Sequence, residues 1–114
     1  MSAITTHVLD TSLGRPASGV AVGLELESAG GDWKQIGQGV TDVDGRVRDL
    51  LPDGFALAAG AYRLNFETGP YFAAQGVEAF YGEVTIAFTV SDPAQHYHVP
   101  LLLSPFGYST YRGS

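Results

Sequence analysis

The chain has 114 residues, six basic and twelve acidic, for a net charge of -6, and charged residues make up only 16% of it. That length fits one domain spanning 1–114, and the acidic balance with no basic cluster argues against nucleic acid or an anionic membrane surface as partner. Cysteine is absent, so the fold uses no disulfide and no thiolate chemistry, which suits a soluble protein of a reducing cytoplasm. Only 16% charge is also low for a small domain with a high surface-to-volume ratio, so the sequence predicts an oligomer that buries part of its surface against copies of itself.

Glycine is abundant, at 15 residues, and β-branched and aromatic residues recur in short alternating runs between Gly, Asp and Pro clusters. The pattern predicts an all-β, two-sheet sandwich of about eight strands, at 4–9, 20–27, 33–40, 46–51, 61–67, 83–90, 96–103 and 107–111, with one short helix at 70–76, opened by Pro70 and stopped by Gly76. The longest apolar run, 99–103, is far too short to span a membrane, and the N-terminal residues carry no basic start or apolar signal core.

In the first strand, alternation puts Ile4, Thr6 and Val8 in the core and Thr5, His7 and Leu9 on the opposite face. In the second, Val20, Val22, Leu24 and Leu26 form a core face, with a small or acidic face toward water. Asp42-Val43-Asp44-Gly45 invites a calcium-loop reading, but position 51, where that loop needs a carboxylate, is Leu; a tight turn into Arg46 explains the residues better. Arg46 and Arg48 share a face, as solvated charges or as a fork for a planar, electron-rich ligand.

The strand at 96–103 differs from the others. Tyr97, Val99, Leu101 and Leu103 make one apolar face, while His96, His98, Pro100 and Leu102 make a second face that is not simply polar, the kind another subunit covers. Two of the three histidines are here. Should strand 4–9 lie beside it, His7 and His98 come close, double protonation is disfavoured, and one imidazole stays neutral as a proton acceptor near pH 7. The same three histidines have the spacing of a zinc site with an open fourth position, and isolated histidines often only hydrogen-bond. No phosphate-binding Gly-rich loop and no nucleophile elbow is present.

The C-terminal stretch, His96-Tyr97-His98-Val99-Pro100-Leu101-Leu102-Leu103-Ser104-Pro105 followed by Gly107-Tyr108-Ser109-Thr110-Tyr111-Arg112-Gly113-Ser114, resembles the signature of the 5-hydroxyisourate hydrolases, the transthyretin-like enzymes of purine catabolism. Further matches are His7-Val8-Leu9-Asp10, Gly14-Arg15-Pro16-Ala17, Thr41-Asp42 with Asp44-Gly45-Arg46, and Tyr71-Phe72. Transthyretin itself shares the Leu-Leu-Ser-Pro region but not the His and Arg positions or the final tetrapeptide.

The resemblance implies a two-sheet transthyretin-like sandwich and a homotetramer, a dimer of dimers enclosing a channel with active sites where the dimers meet. It implies hydrolytic opening of 5-hydroxyisourate at a cyclic amide, giving 2-oxo-4-hydroxy-4-carboxy-5-ureidoimidazoline in urate degradation, with no metal or organic cofactor. His7, Arg46, His98 and Ser114 would be catalytic, and His7, Arg46, Tyr111, Arg112 and Gly113 would bind substrate; His96 belongs to the motif without a catalytic role. His98 with His7 would activate water, Arg46 would hold the ring edge and stabilise charge, and Tyr111 and Ser114 would close the site. A carrier of small aromatic ligands in the channel and a three-histidine zinc hydrolase are the rival readings.

Overall fold

The computed structural model describes residues 2–114. Strands β1 (Ile4–Asp10), β2 (Arg15–Pro16), β3 (Ala21–Glu27), β4 (Trp33–Val40), β5 (Arg46–Val47) and β6 (Gly60–Phe66) precede helix α1 (Thr68–Ala73), and β7 (Val84–Val90), β8 (Tyr97–Ser104) and β9 (Gly107–Thr110) follow it. They form two sheets, one ordered β2-β1-β8-β9 with β5 also paired to β1, the other ordered β4-β3-β6-β7. The transthyretin-like sandwich with one short helix is therefore the observed fold. Among the described residues no helix is long and apolar enough to cross a membrane.

Alternation explains the core. Ile4, Thr6 and Val8 of β1 are buried, as are Val20, Val22 and Leu24, and Tyr97, Val99, Leu101 and Leu103 of β8. These meet Tyr62, Leu64 and Phe66 of β6 between the sheets; each such side chain withdrawn from water contributes about 1.5 to 3 kcal/mol. On the outer face of β3, Glu25 is paired with Arg63 of β6 at 2.7 Å.

Two expectations differ from the structure by more than one residue at an end, and one strand, β2, is not among those expected. The strand foreseen at 46–51 stops at Val47, because the chain leaves the edge of β1 to sink Leu50 and Leu51 into the core, while Arg48 turns back on Asp42 and Asp44. The two-residue β2 is too short to carry alternation, and it exists because Leu9 and Asp10 pair with Pro16 and Arg15. The helix begins at Thr68 rather than Pro70 and ends at Ala73. Its start is fixed by tertiary bonds, Thr68 Oγ1 donating to the Tyr81 carbonyl at 2.9 Å and the Gly69 amide to Gly82 at 2.9 Å. Beyond its end the Val77 amide reaches back to the Phe72 carbonyl at 3.0 Å, the six-to-one bond that closes many helices.

One edge of β1 is divided between two short partners. Pro16 and Arg15 take its Leu9–Asp10 end, and Val47 and Arg46 pair with Thr6 and His7. The other edge runs parallel to β8, with Thr5 opposite His98 and His7 opposite Pro100. These two pairings bring residues from the start, middle and end of the chain to one sheet face.

Candidate active site

Arg46 is delivered to the site by its turn. The Asp42 carboxylate accepts hydrogen bonds from the Asp44 amide at 2.9 Å and the Arg46 amide at 3.1 Å, while the Gly45 amide donates to the Asp42 carbonyl at 2.9 Å. The Arg46 amide, with further help from the Asp44 amide and from Arg48, holds the Asp42 carboxyl below its ordinary pKa. Gly45 has φ 76°, a left-handed conformation natural to glycine, and a side chain there would strike the Val8 carbonyl. The Gly45 carbonyl in turn accepts the Val8 amide at 2.7 Å. This turn seats Arg46 directly across from His7.

The parallel register places Thr5 and His98 side by side. Thr5 Oγ1 lies 2.8 Å from His98 Nδ1 and 3.1 Å from His96 Nε2. The two imidazoles lie nearly parallel, 13° apart in plane, with centroids separated by 6.5 Å. The final residues then fold onto this strand. The Gly113 amide donates to the His98 carbonyl at 2.8 Å, forming an isolated β-bridge, and its Cα packs so closely that an added Cβ would come within 2.6 Å of His98 Cδ2 and 3.2 Å of Pro100 Cγ. Pro100 is thereby buried on what would otherwise be an open face.

A cavity of about 460 Å³ results, lined by Thr5, Thr6, Arg46, Val47, Arg48, Asp49, His96, His98 and Ser114. Half-burial pushes the His98 pKa below the usual imidazole value, and the charges of Arg46, His7 and His96 push it further the same way. A histidine kept neutral at neutral pH beside a guanidinium is equipped to take a proton from water while the cation faces negative charge developing on a carbonyl.

Of the residues singled out by sequence, Arg46, His98 and Ser114 line this cavity. His7 sits on the same sheet face, opposite Arg46 and Pro100, and near enough for its charge to bear on His98. Gly113 backs the His98 ring. Tyr111 and Arg112 are not brought to this cavity within one subunit. They border a separate groove with Tyr97, Val99 and residues of β7, where the Arg112 guanidinium lies 4.4 Å above the Tyr97 ring and bonds Gln95 at 2.9 Å. Alternation had put Thr5 on the histidine face without giving it a task; its contact with both imidazoles was hidden because it needs the register of β1 against β8. A three-histidine metal centre is not formed: among the described residues no three His, Cys, Asp or Glu side chains cluster for an ion, and His96 and His98 turn ring nitrogens to Thr5 instead.

Residues 4–113 match the model of the HIUase/Transthyretin family. A probable 5-hydroxyisourate hydrolase of Caenorhabditis elegans is 50% identical over 113 residues, covering 99% of this chain and 82% of that protein. The solved structure of 5-hydroxyisourate hydrolase from Klebsiella pneumoniae superposes with TM-score 0.83 at 40% identity, covering 97% of this chain and 98% of that one. Sea bream transthyretin in complex with thyroxine superposes with TM-score 0.91 at 35% identity over 98% of this chain and 95% of that one. With the fold, the full-length relatives and the family model in agreement, this chain belongs to the HIUase/Transthyretin family.

Proposed function

We propose that the protein is a hydrolase that opens 5-hydroxyisourate at a cyclic amide in urate degradation. The observation that carries this reading is the convergence of Arg46, Ser114 and a neutral-biased His98 on one cavity. The backbone alone does not separate the alternatives, because transthyretin shares it closely, so function is argued from the site. A carrier of aromatic ligands has no use for a base beside an arginine.

In the reaction, His98, assisted by His7, takes a proton from water as its oxygen bonds to the amide carbonyl carbon. Arg46 holds the polar ring edge and faces the developing oxyanion. The carbon–nitrogen bond then breaks and the departing nitrogen receives the proton. Ser114 closes the near side of the cavity. Tyr111 and Arg112, remote from the cavity within one subunit, meet substrate in this reading through an assembled tetramer. The exposed aromatics Phe106, Tyr108 and Tyr111 support the reading that four subunits join as a dimer of dimers, each chain contributing one domain. A cytoplasmic setting is in keeping with a chain without cysteine.

The test is the spectroscopic decay of freshly generated 5-hydroxyisourate. The protein should accelerate it well beyond the uncatalysed loss, and His98→Ala or His7→Asn should lower turnover by roughly 10²- to 10⁴-fold with assembly intact. Decay at the uncatalysed rate would overturn the hydrolase reading and favour the carrier.

A further inference from the structure

A single hydroxyl stands between two imidazoles here. Thr5 Oγ1 contacts His98 Nδ1 at 2.8 Å and His96 Nε2 at 3.1 Å, and a hydroxyl has one proton to donate. When both rings are neutral, both contacts are hydrogen bonds and the Thr5 proton lies in one of them, two arrangements exist. Thr5 donates to His98 and accepts from His96 N–H, or it donates to His96 and accepts from His98 N–H. The tautomers of the two histidines are therefore linked.

Only the second arrangement makes His98 a base. With its proton on Nδ1 and given to Thr5, His98 carries its lone pair on Nε2, the nitrogen not taken up by Thr5. In the first, His98 already bears a proton on Nε2 and cannot accept one from water there. Resting on the hydrolase reading above, we propose that Thr5 is a positioning residue that selects the basic tautomer of His98, and that His96 acts through it as the acceptor of the Thr5 proton.

The arrangement also balances a proton through the cycle. When His98 Nε2 takes the proton of water, the Nδ1 proton can pass to Thr5 Oγ1 as the Thr5 proton passes to His96 Nε2, leaving His98 neutral with its proton on Nε2. Donation of that proton to the departing ring nitrogen, with return of the other two along the same path, restores the starting state. No co-reactant is required.

His96 lies toward solvent, so it is the member of the pair open to bulk protons. A protonated His96 donates to Thr5 and turns the hydroxyl toward His98 Nδ1, the wrong tautomer for catalysis. The charged and titratable groups facing this pair are His7, Arg46, Arg48 and Asp49 around the sheet face and cavity, with Arg112 bonded to the His96 carbonyl at 3.3 Å.

The experiment combines nitrogen NMR of the imidazole rings with steady-state turnover of 5-hydroxyisourate. In the wild-type protein at neutral pH, His98 should carry its proton on Nδ1; in Thr5→Val, an isosteric change in a half-buried strand position, that preference should be lost. The same variant should lose about 10- to 100-fold in kcat with KM little altered, the scale seen when a group that fixes a functional histidine is removed. Thr5→Ser should recover activity and tautomer together, and His96→Phe should flatten the acidic limb of the pH profile. His98 protonated on Nε2 in the wild type, or a Thr5→Val variant with wild-type kcat and pH profile, would overturn the proposal. Absence of turnover in the wild type would overturn the hydrolase reading instead, while the ring spectra still decide the tautomer link.

Discussion

Gly113 packs closely against the ring of His98. Its amide bonds the His98 carbonyl at 2.8 Å, and no space is left for a side chain, since a Cβ would stand 2.6 Å from Cδ2. The strand carrying the imidazole and the residue that backs it are thus fixed by one another.

Gly113→Ala is expected to displace the ring or lift the tail. A shift of about 1 Å at a reacting group costs on the order of 10²-fold in rate, so turnover should fall by that order while the thermal midpoint hardly moves. An alanine variant of normal turnover would show that the contact does not position His98.

The neutral bias of His98 gives a pH prediction. Its pKa is lowered by burial first and by Arg46, His7 and His96 second, so the folded protein binds fewer protons than the unfolded chain below the ordinary imidazole range. His98 should therefore remain basic to a pH below that range, and its contribution to stability should decline as pH falls from the unfolded imidazole pKa toward the lower folded one. Titration of the ring by NMR in Arg46→Gln should show the pKa rising part of the way back, because burial remains. An unchanged titration would mean that the guanidinium does not act on the ring.

Asp42 offers a test of how the arginine is held. Its carboxylate accepts the amides of Asp44 and Arg46, and an asparagine retains the same acceptor oxygen while an alanine does not. Asp42→Ala should lower kcat/KM by loosening Arg46, and Asp42→Asn should keep most of it. Equal losses in both would assign the effect to the ion pair with Arg48 rather than to the turn.

Asp10 predicts acid sensitivity of the scaffold. It is fully buried, and although burial pushes its pKa up, hydrogen bonds from the Ser12 and Tyr71 side chains and from the Leu13 and Ser12 amides hold it lower. Tyr71 Oη reaches it at 2.7 Å, tying α1 to the end of β1. Asp10→Asn should cost about 1 to 3 kcal/mol of stability at pH 7, and the difference from wild type should shrink as pH falls from the ordinary carboxylate range, where the unfolded chain takes up the proton first, toward the lower pKa of the folded carboxylate. A gap independent of pH would locate the loss in packing rather than charge.

Sequence alternation was enough to find the sandwich because burial has period two: Val20, Val22 and Leu24, and Tyr97, Val99, Leu101 and Leu103, are buried as their spacing requires. It also put Thr5, His7 and His98 on the right faces. What it could not supply was register. Whether His98 meets His7 or Thr5 depends on how β1 slides along β8, and a shift of two residues would preserve every inside and outside assignment while changing the partner. The ends of β5 and α1 escaped for a related reason, since Leu50, Leu51 and Thr68 are placed by contacts with distant segments rather than by their neighbours in sequence.

The parallel pairing of β1 with β8 has a temporal side. Thr5 and His98 are 93 positions apart, so at a synthesis rate of roughly 5 to 20 residues per second the first site residue waits about 5 to 20 s for its partner. Until β8 emerges, one edge of β1 is unpaired and exposed. Long-range parallel pairing is among the slower events of folding, which makes the ribosome-bound chain, rather than the finished protein, the stage at which β1 is open to the wrong partner.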